Sequence, residues 1–306
     1  MKMKKTIEVC ESEAFTLMEL LVVLAVLAML AVMLLPALGN TQMDTRAFQC
    51  QNNQRQIMSA WRMYADDNSD LLAPNDYPAT TAFTPATASQ QNQMRNWVVG
   101  TMEQSFDAGN AALLTNQYSL LSTYIHTPPT YRCPADNFLN PTAHRLNVRS
   151  YAMNSAVGTI WNSSFNSGPP IGSPVQGGWL NGSSFNNAQT AWQTYGKLSS
   201  IVRPSPANLF VLMDESPLGI SSGSITISAN ASLSFTVLLE APGGNHDSGG
   251  VISFADGHSI VHKWQDARTF TLQSMFGAGT SLGTPEPLSP ADVDLIFLGA
   301  LTSAPR

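Results

Sequence analysis

Residues 15–38, FTLMELLVVLAVLAMLAVMLLPAL, form one apolar run whose single formal charge is Glu19, set behind the polar leader MKMKKTIEVCESEA. From residue 20 to residue 38 nothing is charged. As a helix these positions cover about 28 Å, close to the hydrocarbon thickness of a bilayer, so the pattern predicts a transmembrane helix. A secretory signal would have a shorter apolar core with small residues at its far end. Here the processing point lies between Ala14 and Phe15, ahead of the core, and cleavage there leaves the apolar run attached. Past residue 38 the period becomes amphipathic. Ala47, Cys50, Gln54, Ile57, Trp61 and Tyr64 recur at spacings of three and four, with Asn52, Asn53, Arg55 and Arg62 on the other face. Asp66, Asp67, Asn68 and Ser69 stop the pattern. The reading is one helix from about residue 15 to about 65, roughly 75 Å long, its first half in a membrane and its second half clasping a sheet.

After that helix the chain changes character. Short β-branched and aromatic runs at 149–153, 208–213, 224–228, 234–239 and 250–264 alternate with Pro, Gly, Asn and Ser clusters, which predicts a β-rich body. Residues 154–189 are too polar to build a core of their own and read as a surface insertion. Its Trp161, Phe165, Trp179 and Phe185 either anchor the loop or stack on a ligand. Ser289-Pro290-Ala291-Asp292 opens a short terminal helix through Phe297. The fold class expected is α+β: a long N-terminal helix packed on a β-rich globular domain. The division runs 1–14 leader, 15–66 helix and 67–306 exported domain.

Composition narrows the function classes. The 306 residues carry a formal net charge of −6, and past the leader only two lysines remain, Lys197 and Lys263. Phosphate neutralisation needs clustered cations, so a nucleic-acid surface is not expected. Lys2, Lys4 and Lys5 flank the apolar run on one side, against Arg46 and Arg55 on the other. That bias puts the N-terminus in the cytoplasm and the rest outside it. Removing the leader removes Cys10 and leaves Cys50 and Cys133. In an oxidising compartment these could close a loop of about 84 residues, worth about 4 to 5 kcal/mol in the chain-entropy picture. Two buried free thiols remain the alternative.

FTLME ahead of an unbroken apolar run resembles the cleavage and methylation motif of type IV prepilins and type II secretion pseudopilins. The resemblance implies a prepilin peptidase that cuts between Ala14 and Phe15 and methylates the new amine, and other pilin-like subunits as partners. It also implies filament assembly through Phe15, Glu19 and Pro36, with Glu19 pairing to a neighbour's terminal amine. Ala14 stands where glycine is usual, and Glu11 and Glu13 make the leader acidic just before the cut. A second stretch, GGNHDSGGVISFADGHSIVHKW, places Asp256-Gly257 after nine residues from His246 and is similar to the prepilin-type processing-associated H-X9-DG family (246–257 here). NQRQIMSAWRMYADDNSD, YRCPAD, RSYAMN and LFVLMDES also resemble recurring segments of that family. A single-pass inner-membrane protein follows from the resemblance, with a periplasmic or otherwise extracytoplasmic domain.

Independently of any family, Asp256-Gly257 is the preferred two-residue turn of a hairpin, with Val251 expected opposite His262. His246 and Asp256 then lie at opposite ends of an arm of about 16 Å and cannot share an ion. His246, Asp247 and His262 would gather at the open end, where a metal site is conceivable though without recognised zinc spacing. Asp66, Asp67 and Asp70 offer oxygens for calcium but lack the glycine and terminal glutamate of an EF-hand, and a helix-ending polar turn is the simpler reading. No GxSxG, HExxH or P-loop pattern occurs, so catalysis is not expected. Two functions stand: a pilin-like structural subunit of a type II secretion or type IV pilus-like assembly, and a membrane-anchored extracytoplasmic module that binds a glycan or protein.

Overall fold

The computed structural model describes residues 16–75, 95–102, 105–115, 118–141, 143–161, 170–177, 180–181, 191–229, 240–271 and 293–306, with only the backbone at 31–44 and 271. The chain divides into two compact units, residues 1–44 and 45–306. The first helix, α1, is Leu17–Asp67 and contributes to both.

α1 begins on a device that FTLME encodes locally. The Thr16 amide donates to Glu19 Oε2 at 2.9 Å while the Glu19 amide donates to Thr16 Oγ1 at 3.3 Å. This reciprocal capping box satisfies donors that a helix start otherwise leaves open. The Thr16 amide and hydroxyl hold the Glu19 carboxyl below its ordinary value. Every described side chain from 16 to 30 is exposed.

Among the described residues no helix is long and apolar enough to cross a membrane. The expected transmembrane first half of α1 is corrected accordingly, and with it the single-pass inner-membrane placement and the periplasmic domain. The apolar side chains described at 17–30 occupy about 21 Å of helix, short of the roughly 20 residues that a hydrocarbon core of about 30 Å requires. Ala14, Phe15, the leader and the side chain of Pro36 lie outside the described residues.

The second unit is built on a sheet. A two-stranded ribbon pairs β1 (Leu139–Asn140) with β2 (Arg145–Leu146). The main sheet contains β3 (Tyr151–Asn154), β4 (Phe210–Asp214), β5 (Ser224–Ile225), β6 (Gly249–Phe254) and β7 (Ser259–Lys263), in spatial order β5-β3-β4-β6-β7. All pairings are antiparallel except β3 with β5. The sequence places these strands within a few residues, whereas 234–239 and the expected helix opening at 289–292 lie outside the described residues. The terminal helix α2, Val293–Thr302, runs five residues past Phe297.

Both faces of the sheet are covered, which explains why β3, β4 and β6 are buried at every position and do not alternate. On one face Cys50, Ile57, Met58, Trp61 and Ala65 of α1 pack with Tyr151, Met153, Val211, Leu212 and Val251. On the other, Leu295 and Leu298 of α2 pack with Ala152, Phe210, Met213, Ile252, Phe254 and Trp264. The predicted stripe of α1 is correct at Cys50, Gln54, Ile57 and Trp61, all fully buried, while Tyr64 and Ala47 are only half-buried.

Candidate metal centre

Four side chains from four separate segments meet beneath α1. Cys50 comes from α1, Cys133 from the loop after the short 3-10 turn Pro128–Tyr131, Asp214 from the end of β4, and His246 from the turn before β6. One ligand atom of each lies within 4.8 Å of all the others, so the group could hold a metal ion. All four are buried, the most exposed being His246 at 4%.

The polar contacts are mutual. Cys50 Sγ donates to Asp214 Oδ1 at 3.2 Å and contacts the Tyr151 hydroxyl at 3.3 Å. His246 Nε2 faces Cys133 Sγ and Asp214 Oδ2, each at 3.2 Å. Asp214 is fixed by two further donors, Gln54 Nε2 to Oδ1 at 3.0 Å and the Val251 amide to Oδ2 at 3.0 Å. Gln54, a polar residue on the apolar stripe, is thus explained by the buried carboxylate it serves.

Burial pushes the Cys50 thiol well above its ordinary value, helped by Cys133 and by the Asp214 charge. Cys133 moves down: its side-chain interaction with Cys50 outweighs burial, and His246 adds to it. Burial pulls His246 down, but hydrogen bonds to Asp214 and Cys133 and their charges raise it to about 10. The metal-free arrangement is therefore a cation set between a carboxylate and the more acidic thiol.

Local structure aims the histidine. His246 and Gly249 exchange backbone hydrogen bonds at 3.0 and 3.1 Å, and Asp247 and Ser248 between them take φ of 53° and 61°. Two successive left-handed residues closed by that pair fit a type I′ turn, which directs the chain into β6. Gly250 passes close to Gly243, whose carbonyl oxygen would lie 2.7 Å from any Cβ added there. A side chain at 250 would push this strand away from Asp214.

The other predicted sites fall elsewhere. Cys50 and Cys133 are free thiols, and their disulfide is not formed here. Asp247 pairs with Lys263, and His262 approaches Asp294 at 3.7 Å and stacks on Phe297, so neither joins His246. Asp67 accepts from the Tyr124 hydroxyl and Asp70 from the Ser199 hydroxyl. Asp66 and Asp67 are the last residues of α1 and Asp70 lies in the turn after it, and among the described residues they form no metal-binding group. Phe165, Trp179 and Phe185 lie outside the described residues, and Trp161 lies beneath the Arg95 guanidinium, 5.5 Å from the ring centroid.

The H-X9-DG segment resolves into two devices. Asp256 and Gly257 are at the tip of the β6–β7 hairpin, well separated along the strand from His246, as predicted. The register differs by one residue: Gly250, not Val251, opposes His262. The predicted two-residue loop is in fact a three-residue one. The Gly257 amide donates to the Phe254 carbonyl, and Gly257 at φ 93° supplies the left-handed position of the accompanying bulge. Asp256 Oδ1 accepts from the His258 amide at 3.0 Å, and Arg62 of α1 donates to the Ala255 carbonyl at 2.8 Å.

Asp214 is the residue that sequence reasoning missed. Its signal is present in LFVLMDES, where an acid closes a strand that is otherwise wholly apolar and buried. No protein-family model, no curated protein and no solved structure matches the chain.

Proposed function

We propose that the chain is a pilin-like structural subunit of a type II secretion or type IV pilus-like assembly, trimmed by a prepilin peptidase between Ala14 and Phe15 and joined to other subunits through α1. The observation that carries this reading is the apolar surface of α1 ahead of the globular unit. Leu17, Leu21, Val26 and Leu30 are 78%, 53%, 52% and 52% exposed, and their neighbours around the helix are apolar as well. A helix that is apolar on every side needs an apolar surrounding, and packed copies of the same helix supply one. Glu19 is the exception on that surface. Its carboxylate serves the capping box in the isolated chain and offers a negative charge to a neighbour's terminal amine in an assembly. Enzymatic activity forms no part of this proposal.

Glu19→Gln separates the two roles, because glutamine retains capping capacity and loses the charge. Co-expressed with its peptidase and wild-type partners, the Gln and Ala variants should both fail to enter filaments, measured as the fraction in sheared, pelleted material. Mass spectrometry of the wild-type chain should find a methylated Phe15 at the N-terminus. An intact leader, or normal incorporation of both variants, overturns the reading.

A further inference from the structure

We propose that Cys50, Cys133, Asp214 and His246 bind one zinc-class divalent ion in a closed four-coordinate site that ties α1 to the sheet. The inference is independent of the filament reading, since it concerns only residues 45–306.

Donor chemistry selects the ion. Two sulfurs, one imidazole nitrogen and one carboxylate oxygen suit zinc, whereas calcium and magnesium take oxygen shells. The aspartates after α1, for which calcium is the lesser reading, play no part in this site. Geometry fits as well. With metal–sulfur distances of about 2.3 Å and metal–nitrogen or metal–oxygen distances of about 2.0 to 2.1 Å, the edges of a tetrahedron measure roughly 3.3 to 3.8 Å. With Asp214 Oδ2 as the ligand atom, the carboxylate lies 3.6 Å from Cys50 Sγ and 3.2 Å from His246 Nε2, and Cys133 Sγ stands 3.2 Å from His246 Nε2. The Cys50 edge already has that length, and the two edges at His246 open by only a few tenths of an ångström to admit the ion.

His246 Nε2 gives a second reason. One ring nitrogen faces both a sulfur and a carboxylate oxygen, and it carries at most one proton with which to satisfy them. A metal at the centre satisfies all three atoms together. On binding, both thiols and the imidazole Nε2 release their protons to solvent, leaving two thiolates, a neutral imidazole and a carboxylate around the dication. Gln54 and the Val251 amide hold the carboxylate in orientation from outside.

The site's burial defines its role. All four positions are filled by protein groups, and none of the four residues is exposed beyond 4%. A catalytic zinc keeps a position open for water, whereas a closed set is structural. The ion would join α1, the Cys133 loop, β4 and the turn before β6 at one point. His246 of the H-X9-DG segment is then a ligand, and Asp256-Gly257 serves the hairpin.

The test uses the full chain purified under reducing conditions. Elemental analysis after dialysis should find about one zinc per chain. Cobalt added to the metal-stripped chain should give the intense visible absorption of tetrahedral thiolate-bound cobalt. Cys133→Ser and His246→Ala should abolish that spectrum. Gln54→Met, which keeps the bulk and leaves all four ligands in place, should weaken cobalt binding about 10- to 100-fold. Chelation should lower the melting temperature of the wild type and leave that of Cys133→Ser unchanged. The proposal is overturned if the wild type binds no more zinc or cobalt than the Cys133→Ser chain. It is equally overturned if the chain purified without reductant is lighter by two hydrogen atoms, with Cys50 and Cys133 joined to each other.

Discussion

Histidine meets aspartate at both ends of the β6–β7 hairpin, in opposite settings. At the open end His246 and Asp214 are buried under α1, and each of their polar atoms in contact is shared with residues distant in sequence. At the tip Asp256 and His258 are in contact at 2.6 Å but stand two residues apart and are 38% and 43% exposed at their side chains. The same pair of residue types therefore does different work. At the tip it shapes a turn that water would solvate anyway. At the open end its members have no alternative partner in water once folding has buried them, so losing one leaves the others uncompensated.

Removal of the buried acid should have the largest effect. In chelator-treated protein Asp214→Ala is expected to cost about 3 to 5 kcal/mol in urea unfolding, because Gln54, His246 and the Val251 amide lose their acceptor together. A loss no greater than that of a tip variant would break the contrast. At the tip the larger effect belongs to the backbone. Gly257→Ala is expected to cost about 1 to 2 kcal/mol through its φ of 93° alone, because the nearest side-chain atom, in Arg62, stays 3.7 Å from the added Cβ. A neutral result in the same urea experiment would show that the loop relaxes.

The smallest effect is the charge at the tip. Burial is the largest single influence and raises the Asp256 carboxyl, but the His258 amide and ring together with the Arg62 charge outweigh it, and the net value lies below the ordinary 3.8. A carboxylate lowered by folding stabilises above its unfolded value and loses that contribution as pH falls through the folded one. Asp256→Asn should therefore unfold with a flatter acid limb below about pH 4 and a nearly unchanged profile at neutral pH. An acid limb as steep as that of the wild type would remove Asp256 from the account.

Much of this molecule was legible where the information is local. Thr16 and Glu19 stand three apart, so the capping box can be read from TLME alone, although the sequence reading gave Glu19 only its intermolecular role. The stripe through Cys50, Gln54, Ile57 and Trp61 marks the buried face of α1 because a helix repeats every 3.6 residues. Asp256-Gly257 marks a hairpin tip because glycine reaches a left-handed conformation without a steric penalty. The register was off by one because a three-residue and a two-residue loop share the same Asp-Gly signal. Count alone leaves Cys50 and Cys133 as either a disulfide or two buried free thiols, and it gives no sign of their neighbours Asp214 and His246.

Sequence by itself determined the start of α1, its packing face, the hairpin and the approximate places of the main strands, since each depends on residues within a few positions of one another. Only the tertiary structure decided that Cys50, Cys133, Asp214 and His246 share one buried point. That convergence depends on β4 lying between β3 and β6 and on α1 crossing that face of the sheet. Strand order and side-chain meeting points follow from the packing of the whole unit, and no local period encodes them.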